Sequence, residues 1–244
     1  MERETRSEGN VMMSIGKGRV FALGMALCGL AGCGVEADLP AAGCQDATVA
    51  LDPASGDAAC DGPGARYVTR VVSACFGAGE SFGRDQLAER VAGPPRGGGA
   101  RGGSLDVSSL GQGGTITVAF DNAIVDGPGV DFIVFENAFD VGHDPGNPYA
   151  EVATVEVSED DVTWVAFPCS ATEYPYGGCA GWHPVFGNVD EGVNPLDPAV
   201  AGGDQFDLAD IDVPMARFVR ITDRADMPGS FDLDAVGIVN ARCP

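Results

Sequence analysis

The chain has 244 residues, enough for one sizeable domain with additions. An apolar content of 45% argues against general disorder, while 36 glycines and 16 prolines give loops a large share. The formal net charge of −22 argues against a nucleic-acid partner, because an acidic surface repels phosphate.

Residues 1–33 read as an export signal. Lys17 and Arg19 supply a positive flank, and Val20 to Leu30 an apolar run too short to span a bilayer. Leu30-Ala-Gly-Cys33 follows and resembles the bacterial lipobox, in which cleavage before the cysteine frees it for acylation. That resemblance implies a lipid anchor on Cys33, and Gly34 in place of Asp favours the outer membrane and cell surface. Residues 34–64 are rich in Ala, Gly, Asp and Pro without a sustained period, which predicts a flexible, Cys-containing tether. The folded domain is expected over 65–244.

Eight cysteines are present. Cys28 leaves with the signal and Cys33 is spent on lipid. Cys44, Cys60, Cys75, Cys169, Cys179 and Cys243 remain, an even set that suggests disulfides in an exported chain. Cys169 and Cys179 flank one Pro/Gly/Tyr-rich loop and form the best pair. Cys75 with Cys243, on strands near the two ends of the domain, is a plausible second, which leaves Cys44 and Cys60. No C-x-x-C occurs and the two histidines lack zinc spacing.

The domain reads as short strands and turns. Tyr67 to Phe76 suits a first strand, and Arg84 to Val91 one or two helical turns. In Gly113 to Phe120, Ile116, Val118 and Phe120 alternate with Thr115, Thr117 and Ala119, the period of a strand. Asp121 to Gly129 is expected to turn. Asp131-Phe-Ile-Val-Phe135 is a continuous apolar run, expected of a strand covered on both faces. Glu151 to Ser158 points Ala153, Val155 and Val157 inward. Glu159 to Asp161 makes a hairpin turn, and Val162 to Phe167 returns with Trp164 as a core residue. A long loop runs from Pro168 to about Asp204. Ala216 to Asp223 and Phe231 to Val239 form two closing strands, separated by a turn containing Pro228-Gly229. With almost no helix and no βαβ rhythm, the pattern predicts an all-β antiparallel sandwich or jelly roll.

Val155-Glu-Val-Ser-Glu-Asp-Asp-Val-Thr-Trp164 resembles a hairpin of discoidin-like, galactose-binding-type jelly rolls, with Asp161 where that hairpin usually has Gly. Ala216-Arg-Phe-Val-Arg-Ile221 resembles another of their strands, and Phe231-Asp-Leu-Asp-Ala-Val236 the closing strand of related carbohydrate-binding jelly rolls. The runs at 103–114, 124–139 and 201–210 are similar to those of a group of bacterial cell-surface proteins. Together these imply a galactose-binding-like fold over about residues 67–240.

Oxygen-rich loops are the main chemical signal. Glu136, Asn137, Asp140, Asp144 and Glu151 bracket one loop; Asp204, Asp207, Asp232 and Asp234 lie near the closing strands. Carboxylates and amides in such number suit a structural Ca²⁺, which takes six to eight oxygens. The competing reading is acids that cap turns and face water. Tyr174, Tyr176 and Trp182, between or beside Cys169 and Cys179, form a candidate ligand rim for a sugar ring, or equally a local core. Gly79-Glu-Ser81-Phe-Gly83 fits the G-x-S-x-G elbow of serine hydrolases, but that motif needs an α/β platform. The expected function is therefore a lipid-anchored envelope protein that binds glycan or another surface polymer without catalysis. The alternatives are a structural or interaction protein of the outer membrane surface without a small ligand and, remotely, a hydrolase using Ser81.

Overall fold

A computed structural model describes residues 45–47, 63–80 and 82–243. The expected leader, Cys33, Cys44, Cys60 and Ser81 lie outside the described residues. The architecture is all-β, its strands paired antiparallel, with one short helix, α1 (Leu87–Val91).

The larger sheet has seven strands. Along its main path lie β1 (Gln45–Ala47), β2 (Arg70–Phe76), β4 (Thr115–Val125), β11 (Met215–Asp223), β8 (Ala153–Ser158) and β9 (Val165–Ala166), in that order. β14 (Ala241–Arg242) pairs with the far end of β4. The sheet thus takes in Gln45–Ala47 from the stretch read as tether, with Asp46 opposite Cys75. The smaller sheet orders β10 (Asp204–Phe206), β5 (Phe132–Phe135) and β13 (Ala235–Ile238). Two short pairs complete the set: β3 (Ser108–Ser109) with β12 (Asp232–Leu233), and β6 (Phe139–Asp140) with β7 (Pro148–Tyr149).

The main core lies between the two large sheets. Ile116, Val118, Val155, Val157, Val219 and Ile221 come from the larger one, and Phe132, Val134, Val236 and Ile238 from the smaller. Phe132 anchors it, stacked on Phe206 at 5.0 Å between ring centroids and edge-on to Phe167 at 5.8 Å. Truncating such a ring costs about 3–5 kcal/mol.

All four residues of β5 are buried, as a two-faced apolar strand requires. The outer cover is not helix. Ile133 and Phe135 pack against Val185 and Ala201 of the irregular stretch before β10, together with Ala235.

Three local expectations differ from the structure. β4 runs on through Asp121 to Val125 where a turn was expected, because Ile124 is paired on both sides, with Ala216 and with Ala241. Trp164 is half-buried under the Arg220 guanidinium, 4.2 Å from its ring centroid; Phe167 fills the core instead. The stretch 231–239 is not one strand. It breaks at Asp234, and its halves pair with β3 and β5 respectively, so it does not lie beside β11.

Candidate functional site

The carboxyl end of β5 is the meeting point of the acidic loops. Antiparallel register sets Asp204 opposite Val134 and Ala235 opposite Phe135, and the Asp234 N–H donates to the Phe135 carbonyl at 2.9 Å. Glu136 and Asn137 leave β5 at that level. Asp232 arrives on β12 opposite Ser109, with the Asn137 side chain nearby. Glu151, just before β8, is placed from both sides: its N–H donates to the Gly181 carbonyl at 3.0 Å, and its Oε1 accepts from the Ser230 N–H at 2.9 Å.

Glu136 is 1% exposed, and neither carboxylate oxygen has a hydrogen-bond partner. The Asn137 Oδ1 is also buried and unpartnered. Gly103 packs directly against that amide, where a Cβ would overlap it. Burial, first, and then the Glu151 charge hold the Glu136 carboxyl well above the usual range, with smaller contributions from Asp232 and Asp204. The Asn137 backbone N–H opposes this from nearby, without hydrogen-bonding geometry. Burial pushes Glu151 up to about 7 against the pull of the Ser230 N–H, and it raises Asp232 as well. The Tyr149 phenol, stacked on Phe139 at 5.1 Å, is raised chiefly by the Glu151 charge. Glu151 also lines an open depression of about 430 Å³ with Ala78, Gly79, Gln112, Gly229 and Ser230.

The structure therefore gathers Glu136, Asn137, Glu151 and Asp232 out of the nine residues weighed for Ca²⁺. Asp204 is engaged by His183 and by the Gly181 N–H, and the remaining four also serve elsewhere. Asp140 lies on β6, and Asp144 is exposed with its Oδ1 accepting from the Gly146 N–H at 3.0 Å. Asp234 accepts from the Arg96 N–H at 3.0 Å, and burial pushes its carboxyl up to about 8. Asp207 caps a turn through the Ala209 N–H at 2.9 Å. It also joins Asp126 and Asp131 in a tighter group, with ligand atoms within 4.8 Å of one another. Both Asp131 oxygens there are already engaged, Oδ1 by Gly127 and Asn240 and Oδ2 by Leu208, so that group is explained by the turns it holds.

A second feature adjoins the acids. Cys169 and Cys179 are disulfide-bonded, and Cys75 and Cys243 are each in a disulfide. From within the Cys169–Cys179 loop, Tyr174 and Tyr176 meet Trp182 edge-on at 5.7 and 6.1 Å. The Trp182 indole N–H donates to the Cys179 carbonyl at 2.9 Å. Tyr174 is 47% exposed, whereas Tyr176 and Trp182 are half-buried. Next to Trp182, His183 Nδ1 lies 2.8 Å from the Oδ1 of buried Asp204. His183 borders a depression of about 290 Å³ together with Pro184, Phe186, Gly202, Gly203 and Gln205. Sequence reasoning named Asp204 but not its imidazole partner, because the two meet only where Val185 bridges to Gly202 and the Gly203 N–H donates to the Pro184 carbonyl at 3.1 Å.

Comparison with protein-family models, with curated proteins and with solved structures found no match in any of the three.

Proposed function

We propose that this chain is an exported recognition domain, moored to the outer membrane surface through an acylated Cys33, that binds glycan or another surface polymer without transforming it. The reading includes a galactose-binding-like jelly-roll type for the sandwich. The observation that carries it is the aromatic and imidazole strip of Tyr174, Tyr176, Trp182 and His183, held by the Cys169–Cys179 disulfide beside an open depression. Aromatic rings with one polar edge suit the two-sided surface of a sugar. The strip tapers from exposed Tyr174 to half-buried Trp182, which suits a shallow contact rather than a deep pocket.

A second reading has a specific observation in its favour. Tyr174 and Tyr176 each pack edge-on against Trp182 and the indole N–H is satisfied by the Cys179 carbonyl, as in a small satellite core. An envelope protein without a small ligand would need no more. A glycan array probed with the full chain separates the two. Binding to a defined glycan, lost in Tyr174→Ala with an unchanged melting curve, supports recognition through the strip. Silence of the folded chain on the array favours the structural role. Radiolabelled palmitate incorporation that disappears in Cys33→Ala tests the anchor.

A further inference from the structure

We infer that Glu136, Asn137, Glu151 and Asp232 form a calcium site that ties the carboxyl end of the smaller sheet to the 224–231 turn.

Four buried side-chain oxygens among the described residues lack a partner: Ser108 Oγ, both carboxylate oxygens of Glu136, and Asn137 Oδ1. Three of the four belong to two successive residues. A buried acceptor left unserved is costly, and a buried carboxylate without partner or counter-charge more so. A proton on Glu136 would relieve its charge and supply a single O–H donor for the Asn137 amide oxygen, and the second Glu136 oxygen would still be unserved beside that amide. A cation serves both.

The donor chemistry selects the ion. The Asn137 amide oxygen is buried and unpartnered; burial raises the Glu136 carboxyl, and Glu151 and Asp232 lie near enough for their charges to raise it further. Glu151 has one oxygen on the Ser230 N–H and the other unassigned by that bond. Every donor is oxygen and most are anionic. No sulfur or imidazole takes part, since His183 is turned onto Asp204. Such a hard, irregular set suits calcium, which accepts six to eight oxygens in loose geometry, better than magnesium or zinc. The depression lined by Glu151 supplies an entry path and room for water to complete the shell. The group is more open than the Asp126, Asp131 and Asp207 cluster, but that cluster has no unserved oxygen on its buried member.

The test is calcium titration of the full chain, stripped with chelator, by calorimetry and thermal melting. With calcium at about a hundred times its Kd, the melting temperature should rise by about 5–10 °C, and magnesium at the same concentration should give a smaller rise. Glu136→Gln should bind calcium about 100-fold more weakly yet melt no lower than the unaltered chain in chelator. Glu151→Gln, on the more open flank, should weaken calcium binding in the same direction, and it provides the readout if Glu136→Gln fails to fold. Asp126→Asn should leave calcium binding unchanged. No calcium-dependent heat or melting shift in the unaltered chain would overturn the assignment. So would full calcium affinity in both Glu variants, loss of binding in Asp126→Asn alone, or a larger shift with magnesium.

Discussion

Asp204 Oδ1 lies 2.8 Å from His183 Nδ1, while its Oδ2 accepts from the Gly181 N–H at 2.6 Å. One buried carboxylate thus fixes both the backbone of the long loop and the imidazole at its rim. Burial raises the Asp204 carboxyl, opposed by His183 and by the two backbone N–H groups of Gly181 and Trp182. Asp204→Ala should cost about 2–3 kcal/mol, since it strands buried donors, whereas His183→Ala should cost less than about 1 kcal/mol because that ring is half in water. Urea unfolding measures both, and equal losses would contradict this division. Faster amide exchange at Gly181 and Trp182 should accompany the Asp204 change only.

The core assignment of Phe167 over Trp164 predicts an inverted cost for two aromatic truncations. Phe167 is 5% exposed and meets Phe206 at 4.8 Å between centroids. Phe167→Ala should destabilise by about 3–5 kcal/mol. Trp164→Ala gives up a half-buried ring and the guanidinium above it, worth about 1–2 kcal/mol together. Denaturant midpoints showing the larger loss at Trp164 would return that ring to the core.

Asp234 should give the domain a pH dependence of known sign. Burial pushes its folded-state carboxyl up to about 8 from a usual 3.8. The folded chain then holds a proton that the unfolded chain releases near pH 4. That contribution to stability is complete below about pH 4 and is lost as pH rises to about 8. Asp234→Asn cannot ionise and keeps an acceptor for the Arg96 N–H. It should raise the melting temperature at pH 8.5 and change it little at pH 4, with chelator present so that Asp232 holds no cation. A uniform shift at both pH values would show that the effect is not titration.

The Cys169–Cys179 crosslink closes a loop with a sequence separation of 10, which corresponds to about 2–3 kcal/mol of chain entropy. Replacing both cysteines with alanine should lower stability by that order. It should also loosen Tyr174 and Tyr176 against Trp182, read as a red shift of the Trp182 fluorescence component in a Trp164→Phe background. An unchanged spectrum would mean that the rings hold themselves.

Much of the fold is legible in the residues. Alternation at Ala153 to Val157 reports which face is buried, and the Phe132–Phe135 run reports cover on both sides, whereas at Thr115 to Phe120 the alternation marks a strand but Thr117 and Ala119 are buried as well. Where pairing partners decide the outcome, periodicity is silent. The extension of β4 past Asp121 depends on Ala216 and Ala241. The break at Asp234 depends on two different neighbours, Ser108–Ser109 and β5. The acids show the same limit. All nine candidate ligands share loop chemistry, and only pairing across the fold, at the end of β5, between β12 and β3 and from Glu151 to Gly181 and Ser230, separates Glu136, Asn137, Glu151 and Asp232 from acids that cap their own turns.

The interruption of 231–239 has a mechanical corollary. One short run of chain is stitched to β3 on one side of Asp234 and to β5 on the other. Traction from the carboxyl-terminal side is met first by the Cys243 disulfide and the β14–β4 pairing, and with these released it would reach β13 before β12, so the seam at Asp234 sets the order in which those two pairings part.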